Sequence, residues 1–205
     1  MYINKPLSEY IDDLASDKSS PGGGSVAAIT GVQAISLVVM VARLTLGKKK
    51  YVDVQDEIKE IIEKAEAIRS SLTQMIDEDI VVFGEVMEAY SIPKEEREAP
   101  LKAALKKSGL FSFSMFEDCY EVVKLAQRVA EIGNTNVISD SAIAIMLGIS
   151  AMRSSRINVL INLESLGDEA LLNELVTTME DQLTKFDWSA LEKNETLKNY
   201  TKGGI

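Results

Sequence analysis

The chain has 205 residues, of which 46% are hydrophobic and 26% are charged, a balance typical of a folded globular protein and not of a disordered or fibrous one. Its 32 acidic and 22 basic residues give a formal net charge of −10, which opposes binding to nucleic acid or to an anionic membrane. The chain contains no histidine, the commonest general base and metal ligand, so we expect catalysis by other side chains and no metal.

The predicted organisation is one domain over residues 1–205, because a chain of this length suits a single hydrophobic core. Cys119 is the one cysteine, so no intrachain disulfide can form, which agrees with a reducing cytoplasm. The N-terminus does not read as a signal peptide. The tail after about residue 185 is polar and Lys-rich, and its order is left open. We therefore expect a cytoplasmic protein.

Helical periodicity runs along nearly the whole chain, so the predicted fold is all-α, a single-domain bundle of long antiparallel helices. Ser8 is predicted to cap a short first helix that carries an aliphatic stripe of Leu7, Ile11 and Leu14 and ends near Asp17. A glycine-rich loop then leads into a second helix, predicted from Ser25 to Leu46. Residues 19–42 carry no charge, which would also fit a membrane span, but their polar side chains favour a helix buried in a soluble core.

Two long helices are predicted next. The stretch from Asp53 to Tyr90 contains no proline and predicts one helix on the order of 55 Å long. Pro93 ends it, and a second long helix is predicted from Glu95 toward Glu131, bent near Ser108 and Gly109.

The C-terminal third is predicted to begin with a break at Gly133 to Asn136, with Ser139 or Asp140 available to cap the following helix. Residues 142–166 are predicted as an apolar helical hairpin. Gly167 then separates the hairpin from a last amphipathic helix.

Two carboxylates of the long third helix are predicted on different faces. At about 100° per residue, Asp79 lies in the middle of the apolar stripe, whereas Asp77 lies on the polar side, where its charge stays solvated. A lone carboxylate on a buried face is unfavourable unless it is paired, hydrogen-bonded or protonated. Burial raises its pKa, which suits a general acid or base. The open alternatives are a structural ion pair with Arg43, Arg153 or Arg156, or a buried polar link between helices.

Two further segments are candidate ligand contacts. The loop before the second helix could bind an anion or let a flat ligand approach the backbone, or it could serve only for close packing; its residues are Gly22, Gly23, Gly24 and Ser25. The cationic cluster after that helix could capture a carboxylate or phosphate, or could be a solvated face; it comprises Lys48, Lys49 and Lys50.

Asparagines form the last group of candidates. Asn134 and Asn136 either satisfy their own turn or contact a ligand. Asn158 and Asn162 lie one turn apart in an apolar helix, which predicts buried hydrogen bonding to another helix or to a ligand.

Five segments, in this order, resemble the cyclodeaminase domain family of formiminotransferase-cyclodeaminase, which includes stand-alone methenyltetrahydrofolate cyclohydrolases. They are PGGGSVAA, MVARLTLGKKKY, DEDIVVFGEVMEAYSIPK, GNTNVISD and NVLINL. The resemblance extends to about Leu183. One such segment would be weak evidence, whereas five in order are specific.

The resemblance implies an all-helical homodimer whose substrate is a tetrahydrofolate derivative. The implied activity is formiminotetrahydrofolate cyclodeaminase, which forms 5,10-methenyltetrahydrofolate and ammonia, or methenyltetrahydrofolate cyclohydrolase. The resemblance implies Asp79 as the catalytic residue. The expected substrate contacts are Gly22, Gly23, Gly24, Ser25, Lys48, Lys49, Lys50, Asn134, Asn136, Asp140 and Asn158.

Two departures from the family pattern stand out. Phe111-Ser112-Phe113 replaces the usual Val-Pro-Leu, and Pro100 enters a normally Ala-rich stretch. They leave a second interpretation open, in which the chain is a non-catalytic folate-binding protein or a dimeric helical scaffold.

Overall fold

A computed structural model of the chain describes residues 1–185, and all regular structure in that range is helical. The prediction of an all-α fold is confirmed. Three short 3₁₀ turns lie at Tyr2–Asn4, Lys49–Val54 and Thr135–Val137. The α-helices are α1 (Leu7–Leu14), α2 (Gly23–Thr45), α3 (Gln55–Ser91), α4 (Glu98–Ile132), α5 (Ile138–Leu166) and α6 (Glu169–Thr184).

Four long helices, α2 to α5, form the bundle. α2 packs between α3 and α5, and α4 closes the opposite side by packing on both α3 and α5. Glycines bring these helices close together: a Cβ on Gly31 of α2 would lie 3.0 Å from Cys119 Sγ and 3.0 Å from a methyl group of Leu72. The apolar core therefore lies along the axis of the bundle, with α1 and α6 at its margins.

The first helix differs from its prediction. It begins at Leu7 after Pro6 at the N-cap, so Ser8 lies inside the helix and does not cap it. Tyr10 is the one buried residue of α1, whereas Leu7 and Ile11 are exposed. The helix therefore contacts the bundle through a tyrosine and not through its aliphatic stripe.

The predicted hairpin at residues 142–166 is wrong, because α5 is one continuous helix, and α4 is likewise uninterrupted through Ser108 and Gly109, where a bend was predicted. The glycines in them provide close packing. A Cβ on Gly109 would lie 2.6 Å from Leu163 Cδ2, and one on Gly148 would lie 2.7 Å from Val123 Cγ2.

The ends of α5 are only partly as predicted. Val137 is the N-cap residue, so Ser139 and Asp140 lie in the first turn and do not cap it. At the other end Gly167 adopts a left-handed conformation with φ of 76°, which ends the helix as predicted. The tail after residue 185 lies outside the described residues.

Two helical segments, Gly23–Thr45 and Thr135–Leu166, are long and apolar enough to cross a membrane by length and composition. In the bundle, 56% of the apolar window of the first segment and 50% of that of the second are buried. Their apolar character therefore supplies much of the core.

Candidate active site

Asp79 on α3 faces the N-terminus of α2. The backbone N–H of Ser25 donates a hydrogen bond to Asp79 Oδ2 at 2.9 Å. A Cβ placed on Gly24 would lie only 1.9 Å from Asp79 Oδ1. Glycine at position 24 is therefore what lets the carboxylate lie against the first turn of α2.

Burial raises the pKa of the Asp79 carboxyl, and the hydrogen bond from Ser25 opposes that shift only in part. The ion-pair explanation of this residue is wrong. Arg43 pairs with Glu66, Arg156 pairs with Glu180, and Arg153 makes no ion pair within residues 1–185. Asp79 is thus a partly buried carboxylate that the nearby arginines do not neutralise.

A cavity of about 370 Å³ opens next to Asp79, between the glycine loop, α3, α4 and α5. Its apolar wall includes Phe83, Val86, Met87, Tyr90 and Leu105, and its polar lining includes Gly22, Gly23, Ser108, Ser112, Asn158 and Asn162. Mostly apolar cavities with a few convergent polar groups are the usual form of small-molecule sites.

Asn158 lies against the glycine loop. Its Oδ1 would be 4.0 Å from a Cβ on Gly23, and its side-chain amide makes no hydrogen bond within the described residues. Asn162, one turn later, donates from its side chain to the backbone carbonyl of Asn158 at 2.8 Å. The amide of Asn158 is therefore available to a molecule in the cavity.

The two departures from the family pattern lie in different places. Ser112 lines the cavity beside Asp79, whereas Phe111 and Phe113 pack against the core. Pro100 lines a separate cavity of about 450 Å³ next to Ile92. Only Ser112 therefore changes the surroundings of the carboxylate.

The lysine cluster lies at the opposite end of α2 from the glycine loop. The 23 residues of that helix separate the two by about 33 Å. Lys50 donates to Thr135 Oγ1 at 3.3 Å and lies over the ring of Tyr51, while Lys48 and Lys49 are exposed. Within one chain, these cations cannot contact a ring system that lies at Asp79.

Asn134 and Asn136 lie at that same far end, and Asp140 follows in the first turn of α5. The polar groups of Asn134 are all used locally: its N–H donates to Thr45 Oγ1 at 2.8 Å, its side-chain amide donates to the carbonyl of Leu44 at 3.0 Å, and its Oδ1 accepts the N–H of Asn136 at 3.1 Å. The interpretation as a self-satisfied turn is the one that fits. Neither asparagine can orient a group at Asp79 of its own chain.

Asp77 was predicted to be solvated, and that prediction is wrong. Its side chain is 8% exposed and accepts the backbone N–H of Tyr2 at 2.5 Å and that of Ile3 at 3.3 Å. The N-terminal 3₁₀ turn covers this face of α3. A turn of three residues is too short to produce a periodic pattern in the sequence, so the sequence could not predict it. A larger cavity of about 690 Å³ lies beside this contact, but both oxygens of Asp77 already accept backbone N–H groups there.

Tyr10 is a second residue that the sequence analysis missed. Its hydroxyl donates to Ser25 Oγ at 3.3 Å, immediately behind the N–H that binds Asp79. The aliphatic residues of α1 suggested a different contact face, so helical periodicity gave no indication of this one.

Among residues 1–185, no cluster of three or more potential metal-ligating side chains is found. Cys119 is fully buried, and burial raises the pKa of its thiol, so it does not act as a nucleophile at neutral pH.

Known proteins resemble this chain in both sequence and fold. The family model described as formiminotransferase-cyclodeaminase matches residues 6–181. A methenyltetrahydrofolate cyclohydrolase from Methylorubrum extorquens is 41% identical over 188 residues, which cover 89% of this chain and 90% of that protein. A formimidoyltransferase-cyclodeaminase from Sus scrofa is 27% identical over 82% of this chain, but the match spans only 32% of that longer protein. The crystal structure of a formiminotetrahydrofolate cyclodeaminase from Thermotoga maritima superposes with a TM-score of 0.88 at 29% identity, covering 98% of this chain and 100% of that one.

Proposed function

This chain belongs to the formiminotransferase-cyclodeaminase family, and from that premise we propose that it is a cytoplasmic methenyltetrahydrofolate cyclohydrolase in which Asp79 is the general base. It is a folate one-carbon enzyme of the cyclohydrolase or cyclodeaminase kind. The relative that is 41% identical over nearly its whole length favours the cyclohydrolase. The observation that carries the role of Asp79 is its place beside the cavity, partly buried and hydrogen-bonded to the start of α2.

The proposed reaction opens the methenyl bridge of 5,10-methenyltetrahydrofolate with water. Asp79 removes a proton from water while the water oxygen forms a bond to the cationic bridge carbon, which gives a neutral tetrahedral carbinolamine. One C–N bond then breaks, the departing nitrogen takes the proton held by Asp79, and the hydroxyl loses its proton to solvent as the formyl group forms. A carboxyl whose pKa is raised by burial suits both transfers, since it is a stronger base than an ordinary aspartate and can return the proton to the departing nitrogen.

The dimensions of the cavity support binding of the ring system. At about 370 Å³ the cavity is near the lower end of small-molecule sites, so it suits the fused rings of a folate and not the whole molecule with its glutamate tail. Phe83 and Tyr90 supply aromatic surface on α3, and Asn158 supplies an unpaired amide opposite them. The backbone of Gly22 and Gly23 completes the polar side. No step in this chemistry requires a metal.

Cyclodeaminase activity is a second candidate, because the structural relative from Thermotoga maritima carries that name. In that reaction nitrogen 10 of 5-formiminotetrahydrofolate attacks the carbon of the protonated formimino group, and Asp79 takes the proton from nitrogen 10. Asp79 then delivers this proton to the amino nitrogen, which leaves as ammonia as its C–N bond breaks. The same cavity and the same carboxylate serve both reactions. The two differ in whether the attacking atom is an oxygen of water or a nitrogen of the substrate.

We also propose that the chain is a homodimer in which α2 packs against α2 of a second copy. The outward face of α2 carries no charge before Arg43 and includes Val26, 37% exposed, and Met40, 37% exposed. Across a two-fold axis, antiparallel packing of these helices would place the partner's lysine cluster near the glycine loop of the first copy. The lysines could then attract the glutamate tail of a folate whose rings lie at Asp79.

The dimer proposal has a direct test. Met40→Glu puts a charge within the proposed contact face, so light scattering should show half the molar mass of the unchanged protein. Lys64→Glu, a charge change on α3 outside this face, is the control and should leave the molar mass unchanged. A Met40→Glu variant with unaltered mass would contradict the α2 contact.

The activity is tested by following methenyl absorbance and ammonia release with each folate in turn. We expect turnover of 5,10-methenyltetrahydrofolate, and we expect Asp79→Asn to lower kcat by about 10²- to 10⁴-fold, the usual contribution of a general base. Asp118→Asn is the matched control. Asp118 is also partly buried with a pKa raised by burial, but it accepts from Ser71 Oγ at 2.7 Å and is not among the residues that line the cavity.

Three results would contradict these assignments. If Asp79→Asn behaved like Asp118→Asn, Asp79 would not be the base. If ammonia release from the formimino substrate exceeded hydrolysis of the methenyl substrate, the cyclodeaminase would replace the cyclohydrolase. If calorimetry showed tight binding of tetrahydrofolate while neither substrate reacted, the protein would be a folate binder.

A further inference from the structure

The N-terminal segment, residues 2–14, is tied to α3 at its beginning. The backbone N–H groups of Tyr2 and Ile3 both donate to the carboxylate of Asp77, which is 8% exposed. Hydrogen bonds from backbone N–H groups to a buried carboxylate are among the stronger ones in proteins. Asp77 thereby holds the segment against α3 only two residues before Asp79.

The other end of the same segment reaches the site itself. Tyr10, 6% exposed, is the one buried residue of α1, and its ring packs edge-on against the ring of Tyr2 with centroids 5.4 Å apart. Its hydroxyl donates to Ser25 Oγ at 3.3 Å, and Ser25 is completely buried. The backbone N–H of Ser25 binds Asp79 at 2.9 Å.

We propose that the N-terminal segment is a positioning element of the active site, in which Tyr10 fixes Ser25 so that the N–H of Ser25 holds Asp79. Tyr10 is a positioning residue, since it contacts Ser25 and is not among the residues that line the cavity. The proposal rests on the proposed function of Asp79. The position of the Asp79 carboxylate would then depend on the N-terminal segment, although no residue of that segment lines the cavity beside Asp79.

The reason for such a support lies in the start of α2. Gly23 and Gly24 precede Ser25, and two consecutive glycines leave the backbone with wide conformational freedom. Gly24 cannot be replaced to stiffen the turn, because its missing side chain makes room for Asp79. Ser25 is therefore the first residue of α2 whose side chain can be held, and Tyr10 is the residue that holds it.

The hydroxyl groups of Tyr10 and Ser25 also place a polar environment behind the partly buried carboxylate of Asp79. Within the described residues, burial and the Ser25 hydrogen bond are what shift the pKa of Asp79, and no charged group contributes. Tyr10 is the titratable group that faces it from α1, and burial raises the pKa of that phenol, so Tyr10 stays neutral and keeps its proton for Ser25. Loss of the hydroxyl loosens the Ser25 hydrogen bond and moves the pKa of Asp79 further up.

The test is Tyr10→Phe, which keeps the ring and removes the hydrogen bond. We expect kcat to fall by about 2- to 10-fold, the equivalent of one neutral hydrogen bond, with little change in KM. We also expect the acid limb of the pH profile of kcat/KM to move to higher pH. Tyr120→Phe on α4, two turns beyond Ser112, is the control and should leave both kcat and the acid limb unchanged.

Ser25→Ala completes a double-mutant cycle. Because Tyr10 acts through Ser25, the double variant should lose no more kcat than the worse of the two single variants. Additive losses would show that the two hydroxyls act separately and would overturn the proposal.

Thermal unfolding of each variant separates positioning from a general loss of stability. If Tyr10→Phe lowered the melting temperature but left the acid limb in place, the tyrosine would be structural only and the inference would fail, while a large effect of Asp79→Asn would leave the proposed function intact. If Asp79→Asn had no effect on kcat, the proposed function would fail first, and this inference with it.

Discussion

Gly24→Ala is the substitution for which the structure makes the sharpest prediction. A Cβ at this position would lie 1.9 Å from Asp79 Oδ1, 2.5 Å from its Cγ and 2.8 Å from its Oδ2. Real Cβ atoms essentially never come within 3.0 Å of another heavy atom, so the carboxylate has to move by about 1 Å or more. A displacement of that size in a catalytic group costs about 10²-fold in rate.

The expected result is therefore a kcat/KM about 100-fold below that of the unchanged protein, equivalent to about 2.7 kcal/mol of transition-state stabilisation. It is measured by the loss of methenyl absorbance under second-order conditions. Alanine is the better helix former, so the melting temperature should fall little, which separates a displaced base from an unfolded protein.

Gly84→Ala is the matched control. Gly84 lies on the same helix as Asp79, five residues later, and a Cβ there would meet nothing within 4 Å. This variant should keep full activity and gain about 0.5–1 kcal/mol of stability. If Gly24→Ala retained the activity of Gly84→Ala, the carboxylate would not be held against the glycine, and the reasoning from this contact would be refuted.

Three further predictions concern charge and burial. Activity should fall as the pH drops through the raised pKa of Asp79, because only the ionised carboxylate accepts a proton; an acid limb at the ordinary aspartate pKa would contradict its burial. Because the pKa of Asp79 is raised in the folded state, the stability linked to this group is present below its unfolded pKa and is lost as the pH rises through its folded pKa. Asp79→Asn should therefore gain about 0.5–1 kcal/mol in the free energy of unfolding by urea at pH 7. No gain would argue against desolvation of the carboxylate. Thr45→Val should destabilise by about 1–3 kcal/mol, because the buried N–H of Asn134 loses its acceptor, and a neutral result in the same assay would show that the turn relaxes.

The helical fold could be predicted because periodicity and helix-ending residues are local signals. Pro93 and Gly167 lie where helices end, as expected from their backbone preferences. Gly109 was predicted to mark a bend, and the structure shows it in an uninterrupted helix close to a neighbouring one, because a glycine can mark either a break or a close approach. Only the packing partner, Leu163 in this case, distinguishes the two.

The candidate site could be predicted only as far as one helix reveals it. The helical geometry predicted Asp79 on the apolar face of α3, and the structure shows its carboxylate beside the glycine loop. The lysine cluster follows the loop closely in sequence but lies about 33 Å away, since a straight helix separates them. Tyr10 could not be found at all, because its contact depends on how α1 packs.

Asp77 and Asp79 show why burial alone does not identify a catalytic carboxylate. Both lie on α3, both are withdrawn from solvent and both accept backbone N–H groups. Among the described residues, each oxygen of Asp77 accepts one such N–H, and the two bonds hold the N-terminal segment. Asp79 accepts one such N–H, at Oδ2, within residues 1–185, so its Oδ1 is open to a proton from a molecule in the adjoining cavity. Asp77 also borders a cavity, so it is the donor to each oxygen, supplied by other parts of the chain, that separates the base from the anchor.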